Sequence, residues 1–396
     1  DPFTIDPQPE WVNVHWLFQV LVTAVHAIGG FAALSVLKAL LAAGMMLAFA
    51  LATRRVPTAW AVVAGLLTLT VAAGRIRVRP EAVTLLLLTV EAGLLESVRC
   101  GRSPRRLWWL APIMLIWVNM HGLFILGLGV MWSAMVGAWV DRRLGRGLHG
   151  ELLTQRALAP ILLATGLCLA TPWPFEVVAH PFLLWSRVSG EAFWYTYGVS
   201  ELKPTLDAVW SQWDAIALVA LTLPAMLANR RNTPLSHAMW LAAFVALAAM
   251  ALRNVGLVAP VSGLLLAWHG GRVLDRRLAN RPRLAPLAGP AAVAALLLPL
   301  LTCFAYATEL TYRLGRSHKR FGAGLDRMNY PLGLARWLGE MDVRGDIFCE
   351  NFGDASVFEY HVSQGHDEPK RLLFMDGRLE AQSLERFVAQ NRLRQM

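Results

Sequence analysis

Charged residues are scarce in this sequence, and their scarcity excludes an ordinary soluble domain. Asp, Glu, Lys and Arg make up 16% of the 396 residues, whereas 56% of the residues are hydrophobic and the mean hydropathy is +0.45. Soluble globular domains carry about 25% charged residues. Apolar runs long enough to cross a bilayer recur through residues 31–308, so the sequence predicts a polytopic helical membrane protein.

Cysteine is also rare, and its spacing argues against a disulfide framework or a cysteine-based metal site. No two of the four cysteines have the short spacing of paired metal ligands. The first residues lack the basic segment that opens a signal peptide, and the chain lacks an initiator Met. We therefore expect the chain to begin inside a longer protein. No cofactor is implied, and no metal ligands are assigned.

Basic residues exceed acidic ones by 10, and their positions indicate an orientation in the membrane rather than a nucleic-acid surface. Alternate links between the apolar segments hold most of the arginines, and the positive-inside rule predicts that these links are cytoplasmic. The other links, including 171–212, then face outward. Ten spans fit this alternation with both ends outside. The arginine-rich links are 54–55, 99–106, 142–146, 230–231 and 272–283.

The same pattern divides the chain into three parts. Residues 1–30 are predicted to be an outer loop with an interfacial helix, because the apolar segment 15–28 ends at two glycines. Residues 31–308 are predicted to be the multispanning domain. Polar residues dominate from there on, and 309–396 is predicted to be a small extracytoplasmic α/β module that is truncated at its C-terminus. The predicted fold class is an all-α polytopic membrane protein of about ten transmembrane helices with this module attached.

Three arginines on the outward side do not follow the positive-inside pattern. Arg75, Arg77 and Arg79 stand directly before Pro80, which favours an extended turn. Arginine side chains match phosphate oxygens with two parallel donors, so we predict that they bind a lipid phosphate, together with Arg253 from a second outer link. The alternative is that these side chains only reach ordinary lipid headgroups, as basic residues near helix ends commonly do.

Other polar residues are predicted at the same face, where they are candidates for lining a cavity. Each has a plainer structural alternative, such as capping a helix or binding water. The aromatic link 171–212 is too apolar for a solvated loop, and it is predicted to lie on the membrane as a lid. The cavity candidates are Glu10, His15, Asn119, His121, Glu201 and Asn254.

The first outward segment also supplies carboxylates, namely Asp1, Asp6 and Glu10. A carboxylate beside a cationic cluster suits glycosyl transfer from a lipid phosphate. The acid can act as general base on the acceptor hydroxyl, while the arginines stabilise the departing phosphate. For each single acid, a solvated surface role is the alternative.

A series of short segments carries a resemblance to known proteins. The chain resembles bacterial multispanning proteins related to the GT-C fold glycosyltransferases. It departs from that group at "TPWP", where the group has an N-P-x-G-like loop, and in the absence of the expected first helix. The segments are, in order, "DPFT…WVNVHWL", "RIRVRPEAVTLLLL", "LWWLAPIMLIWVNMHGLFILGL", "TPWPFEVVAHP", "ALRNVGLVAPV" and "NFGDASVFEY…LLFMDGRLE".

The resemblance implies an activity. Mannosyltransferase-like GT-C enzymes use polyprenyl-phosphate sugars at the outer leaflet, with an acidic residue in the first outer loop. Asp1 is the best match to that residue and Asp6 the second, so these are the implied catalytic residues. The implied protein is a hexosyltransferase of the bacterial inner membrane, active at its extracytoplasmic face. Its implied partners are the lipid bilayer, a polyprenyl-phosphate sugar donor and a glycan, lipid or protein acceptor.

A non-catalytic transporter, flippase or assembly partner for cell-surface polymers is the competing function. Such a protein should carry ionisable residues within its spans and traces of internal repeats. Glu91 and Glu96 are the main ionisable candidates inside a span, and no repeat is visible. The balance favours the transferase.

Overall fold

The fold is known from a computed structural model, and it is built from α-helices. The structure describes residues 12–148, 150–190, 199–280, 286, 288–315, 320–325, 330–341, 345–350, 352–362, 372–375 and 384–394. Within these ranges the pairing of extended chain is limited to one parallel bridge, between Ile347 and Leu373. The helical class agrees with the sequence prediction, and the α/β character of 309–396 stays a prediction.

The helices are numbered here in chain order over the described residues. Several are joined by short 3₁₀ turns, which lie at Pro104–Trp109, Leu167–Leu169, Ser200–Leu202, Thr205–Gln212, Arg230–Asn232 and Leu252–Leu257. The α-helices are α1 Trp16–Thr53, α2 Thr58–Ala73, α3 Pro80–Arg99, α4 Leu110–Met120, α5 Phe124–Arg143, α6 Gln155–Gly166, α7 Pro174–Gly190, α8 Trp213–Ala228, α9 Leu235–Met250, α10 Val258–Ala279, α11 Ala288–Ala307, α12 Leu310–Leu314, α13 Leu332–Glu340, α14 Phe352–Val362 and α15 Leu384–Leu393.

Five helices in the described residues are long and apolar enough to cross a membrane, which is fewer than the predicted ten. A sixth span results if α6 and α7, which meet at 89°, are taken as one broken span. Helices α2 and α9 are apolar but have 16 residues each, and α3 carries three carboxylates, so the count of ten stays a prediction. The five that qualify in the described part of the chain are Trp16–Thr53, Phe124–Arg143, Thr205–Ala228, Leu252–Ala279 and Gly289–Ala307.

Helix α10 is the centre of the bundle and packs against α2, α3 and α8. Of the most apolar stretch of its span, 83% is buried, against none of the corresponding stretch of α11. Glycines allow α2 to approach closely. A Cβ on Gly263 would lie 1.8 Å from Oγ1 of Thr68, and one on Gly270 would lie 2.5 Å from the ring of Trp60. The two glycines are seven residues apart and therefore share one helix face.

Helix α1 has a break in its first half. Gly29 and Gly30 depart from helical geometry, and Gly30 has a φ of +58°, a conformation that glycine adopts without strain. The predicted interfacial segment 15–28 is the part of α1 before this break. The second half of the helix packs against α3, since Gly44 lies beside Leu86 and Ala52 lies beside Gly93.

The C-terminal helices rest on the bundle near this break. The ring of Tyr360 in α14 lies 5.9 Å from that of His26 and 5.5 Å from that of Phe31, between centroids. A second contact is apolar, and it joins Leu202 to Met375 and to Phe387 of α15. The C-terminal part of the chain therefore touches both the break in α1 and the 3₁₀ turn Ser200–Leu202.

Candidate functional site

Arg75, Arg77 and Arg79, called here the arginine cluster, lie in a compact turn between α2 and α3. The amide of Arg77 donates to the carbonyl of Arg75 at 2.9 Å, and that of Arg79 donates to the carbonyl of Arg77 at 2.8 Å. Arg79 itself is extended because Pro80 follows it at the first position of α3. The repeated spacing of two residues brings all three side chains to the same carboxylate.

That carboxylate belongs to Glu201. Its Oε2 lies 3.2 Å from a terminal nitrogen of Arg75 and 3.6 Å from one of Arg79, and its Oε1 lies 3.8 Å from one of Arg77. The Arg75 contact is also a hydrogen bond. Three guanidinium groups therefore share one anion, and their net charge exceeds that of their partner by two.

The charges at this point are only partly removed from solvent. The side chain of Arg75 is 14% exposed, whereas those of Arg77, Arg79 and Glu201 are 57%, 49% and 38% exposed. Partial burial raises the pKa of Glu201, but the positive charges of Arg75 and then Arg79 outweigh it, so the pKa of the carboxyl lies below its ordinary value. Glu201 is therefore an anion at neutral pH.

The backbone around Glu201 is held from two sides. The carbonyl of Lys203 accepts a hydrogen bond from the amide of Leu252 at 2.9 Å. The side chain of Leu202 is buried against Met375 and Phe387. Residues 200–203, called here the Glu201 segment, are thus fixed to the turn before α10 and to the C-terminal helices.

The turn before α10, Leu252–Leu257, also touches the arginine cluster. A Cβ on Gly256 would lie 2.5 Å from Cγ of Arg75, so only glycine leaves room for the arginine stem. Asn254 in this turn donates its side-chain amide to the carbonyl of Leu247 at 3.0 Å. That bond ends α9, so the structure gives Asn254 a structural contact.

A buried polar network around His121 forms the next part of the site. His121 lies in the break between α4 and α5. The indole N–H of Trp117 donates to Oγ1 of Thr84 at 2.9 Å, and that hydroxyl lies 2.7 Å from Nδ1 of His121. The Thr84 hydroxyl has one hydrogen, and donating it to Nδ1 satisfies all three groups. This assignment leaves the imidazole neutral with its hydrogen on Nε2.

Three other cations or histidines surround His121. The ring of His15 lies 5.2 Å from it, between centroids. Burial lowers the pKa of His121 well below its ordinary value, and the proximity of His15, Arg253 and His180 lowers the pKa further. Arg253 therefore belongs to the His121 side of the site, and the described contacts do not bring it to Glu201.

Asn119 holds helices together. Its Oδ1 accepts a hydrogen bond from the indole of Trp16 at 3.0 Å. Its amide nitrogen donates to the carbonyls of Leu115 and Ala170, both at 2.9 Å. Both amide hydrogens are used, so Asn119 connects α1, α4 and the chain after α6 rather than offering donors to a ligand.

The predicted acids at the beginning of the chain cannot be compared with this geometry. Asp1, Asp6 and Glu10 lie outside the described residues. The link 171–212 is described except for 191–198, and it contains α7 and two 3₁₀ turns. The part of α7 with described side chains has exposed apolar residues on one side, including Phe175, Phe182 and Trp185.

A second polar cluster, which was not predicted from the sequence, lies around Glu96 of α3. Glu96 accepts two hydrogen bonds from Arg99 at 2.5 Å each and lies 3.2 Å from Nε2 of His237. Nδ1 of His237 lies 2.9 Å from Nε2 of His269, whose Nδ1 lies 2.9 Å from the amide nitrogen of Asn229. These groups come from α3, α9, α10 and the end of α8. Their separation along the chain leaves no spacing pattern that a sequence could reveal.

Glu91 differs from Glu96 in that its carboxyl is buried without a hydrogen-bond partner among the described residues. It lies against Trp117 and the backbone of α5, where a Cβ on Gly127 would come within 2.7 Å of Oε2. A buried carboxyl in this state costs free energy, because its desolvation is not offset by a hydrogen bond.

In the described ranges, no group of three or more His, Cys, Asp or Glu side chains is arranged to hold a metal ion. No protein-family model matches the chain, and no curated protein matches it either.

Proposed function

We propose that this chain is a GT-C-type hexosyltransferase of the bacterial inner membrane. It moves a sugar from a polyprenyl-phosphate donor to a glycan, lipid or protein acceptor at the outer face of that membrane. The observation that carries the proposal is the convergence of the arginine cluster on one carboxylate, Glu201.

This convergence favours anion binding over the alternative of independent contacts with headgroups. Arginines that only reach for lipid would spread apart, because like charges repel and no common partner is needed. Here three guanidinium groups lie within 4 Å of a single carboxylate. A phosphate group carries the same kind of oxygen acceptors and matches the paired donors of arginine.

Exposed apolar side chains beside the cluster suit the lipid part of such a donor. The 3₁₀ turn Thr205–Gln212 follows the Glu201 segment, and its Leu206 and Trp210 are 75% and 88% exposed. Trp213, at the start of α8, is 65% exposed. Tryptophan is enriched at membrane interfaces, so this surface is suited to hold a polyprenyl chain whose phosphate reaches the arginines.

Glu201 itself is a poor candidate for the general base. A base must accept a proton from the acceptor hydroxyl, and basicity falls as the pKa falls. The arginines hold the pKa of Glu201 below its ordinary value, and the pairing occupies both carboxylate oxygens. We therefore assign the base to the N-terminal acids, with Asp1 first and Asp6 second.

The test compares the full-length protein with the variant Arg77→Ala, both purified in lipid nanodiscs. Arg77 is half exposed, so its removal leaves the core packing intact. We expect binding of a polyprenyl-phosphate sugar to weaken by about 1.5–3 kcal/mol, the contribution of one hydrogen bond to a charged group. Arg105→Ala is the matched control, since Arg105 is an exposed arginine in a link predicted to be cytoplasmic.

Equal binding by Arg77→Ala and the unchanged protein would contradict the phosphate role of the cluster. The catalytic half of the proposal is tested by Asp1→Asn, which should lower turnover and leave binding nearly unchanged, because a general base acts mainly in the transition state. Loss of binding in Asp1→Asn would instead indicate a structural role for Asp1.

A non-catalytic transporter, flippase or assembly partner for cell-surface polymers is the competing function, and buried ionisable groups support a transporter. Glu91 and Glu96 are buried in α3, and ionisable residues inside membrane helices commonly mark transport pathways. Glu96, however, is paired with Arg99 and lies beside His237, and these contacts favour a structural role that holds helices together. Flux of a lipid-linked sugar across proteoliposomes, abolished by Glu91→Gln and unaffected by Arg77→Ala, would favour the transporter.

A further inference from the structure

Glu201 occupies the position in the arginine cluster that a phosphate group would need. One carboxylate oxygen contacts Arg75 and Arg79 and the other contacts Arg77, which is how phosphate oxygens would divide the same donors. A bound phosphate and Glu201 cannot both use these donors fully. Binding of a phosphate therefore requires the carboxylate to move away.

Moving the carboxylate away from Arg77 and Arg79 costs little free energy, whereas its hydrogen bond to the mostly buried Arg75 is the stronger contact. Three of the four charged side chains are between 38% and 57% exposed, and ion pairs at such sites are weak because water and salt screen them. A partner that offers more negative charge than one carboxylate has an advantage in this competition.

The carboxylate also cannot move far. Leu202, the next residue, is buried against Met375 and Phe387, and Lys203 is held by the backbone hydrogen bond from Leu252. Rotation of the Glu201 side chain is enough to release the arginines, while the Glu201 segment stays in place. The carboxylate is thus a tethered competitor with a high effective concentration at the cluster.

The proposed reaction changes the charge of the group bound there. The donor is a phosphodiester with one negative charge. During transfer the bond from the sugar C1 to the phosphate oxygen breaks, and the bonding electron pair leaves with the phosphate. The acceptor oxygen bonds to C1 and its proton goes to the general base. The product polyprenyl phosphate is a monoester whose charge is about −1.5 to −2 at neutral pH.

We infer that Glu201 is a release residue, a tethered carboxylate that competes with the phosphate for Arg75, Arg77 and Arg79 and displaces the polyprenyl phosphate product. The inference rests on the proposed function. Without an internal competitor, three arginines would hold the more highly charged product more tightly than the substrate. Glu201 lowers the affinity of the cluster for either ligand, and this speeds the departure of the tightly held product, because the return of the carboxylate restores the pairing of the cluster as the product leaves.

The experiment measures binding of polyprenyl monophosphate to the full-length protein in nanodiscs, for the unchanged protein and for Glu201→Gln. Glutamine keeps the size of the side chain but removes the competing charge. We expect Glu201→Gln to bind the monophosphate about tenfold more tightly, since it no longer has to displace an anion. Glu176→Gln is the control, because Glu176 is an exposed carboxylate in the first turn of α7 and is not expected to change binding.

A steady-state assay provides the second readout. In Glu201→Gln, we expect stronger inhibition by added polyprenyl monophosphate and a lower kcat with a KM that does not rise. If Glu201 only held the arginines in place, the same variant would bind the monophosphate more weakly and raise KM. That result, or unchanged binding in Glu201→Gln, overturns the release role.

The two proposals fail in different ways. If Arg77→Ala weakens binding but Glu201→Gln weakens it as well, the phosphate site stands and the release role is wrong. If neither the unchanged protein nor Glu201→Gln binds polyprenyl monophosphate, the release role is wrong together with the phosphate site. A short-chain soluble phosphate monoester, used as a second probe, separates recognition of the phosphate from insertion of the lipid chain.

Discussion

At the scale of single residues, the negative charge of Glu201 stabilises the folded protein, and this stabilisation depends on pH. The pKa of its carboxyl is lowered in the folded protein by the arginine cluster, against the effect of partial burial. A lowered carboxyl pKa stabilises the folded state at pH values above the unfolded pKa, which is about 4.3 for Glu. The stabilisation is lost as the pH falls through the folded value.

The prediction is a pH-dependent difference between two melting curves. We expect Glu201→Gln to melt at a lower temperature than the unchanged protein at pH 7, because three arginines then face each other without a carboxylate. The difference should shrink as the pH falls below about 4.3 and through the lowered pKa of the folded carboxyl, where the unchanged protein loses the same charge. Thermal unfolding in detergent at pH 7, 5 and 3.5 measures it. A difference that does not depend on pH would show that the carboxylate charge is not responsible.

The residues of the site were easier to predict than their partners. The sequence singled out the arginine cluster because it departs from the positive-inside pattern, and it singled out Glu201 as an acid in an aromatic link. Their pairing was not visible, since 126 positions separate Arg75 from Glu201 and no spacing rule joins two loops of a bundle. The contact between Glu96 and His237 could not be predicted either, because these residues are also far apart along the chain.

At the scale of elements, the close contact between α2 and α10 depends on glycine. The backbone of α10 at Gly263 touches the side chain of Thr68, which leaves no space for a methyl group. Close approach of this kind gives membrane helices packing contacts that the hydrophobic effect cannot supply inside a lipid bilayer. Gly263 and Gly270, which share one face of α10, are therefore explained by packing and need no ligand to explain them.

The prediction for this contact is that Gly263→Ala lowers the free energy of unfolding by about 1–3 kcal/mol, because the added methyl group overpacks the interface. Gly129→Ala is the matched control. Gly129 is a helical glycine in α5 with no atom within 4 Å of an added Cβ, so its substitution should be tolerated. Unfolding of both variants in mixed micelles gives the comparison. A loss of stability as large in Gly129→Ala would contradict the packing explanation, because helix propensity alone favours alanine over glycine.

Helical structure was predictable from hydropathy, and the count of ten spans stays a prediction. Two charged side chains of α3, Glu91 and Glu96, are buried by neighbouring helices rather than exposed to lipid. A hydropathy rule counts these charged residues against a membrane span, because it takes no account of the neighbouring helices that cover them. Likewise α10 is enclosed on nearly all sides although its composition alone resembles that of a lipid-exposed span.

At the scale of the whole molecule, the arrangement of charges along single helices predicts an orientation. Helix α5 has 20 residues, so its length is about 30 Å, the thickness of the hydrocarbon core. His121 lies just before this helix and Arg143 at its end. The guanidinium of Arg143 lies 5.2 Å from the ring centroid of the exposed Trp139, an aromatic and basic pair of the kind that marks a membrane interface.

The last prediction is that Arg77 and Arg143 lie on opposite sides of the membrane, with Arg77 outside. The test introduces Arg77→Cys or Arg143→Cys into a protein whose four cysteines are replaced by serine, and labels intact cells with a membrane-impermeant maleimide. We expect Arg77→Cys to react in intact cells and Arg143→Cys to react only after lysis. Val136→Cys, at an exposed position within α5, should react in neither case, because lipid covers it. Labelling of positions 77 and 143 from the same side would contradict the orientation, and labelling of position 143 alone in intact cells would reverse it. The reversed orientation would place the arginine cluster at the cytoplasmic face, and the donor would then have to be a cytoplasmic phosphate compound.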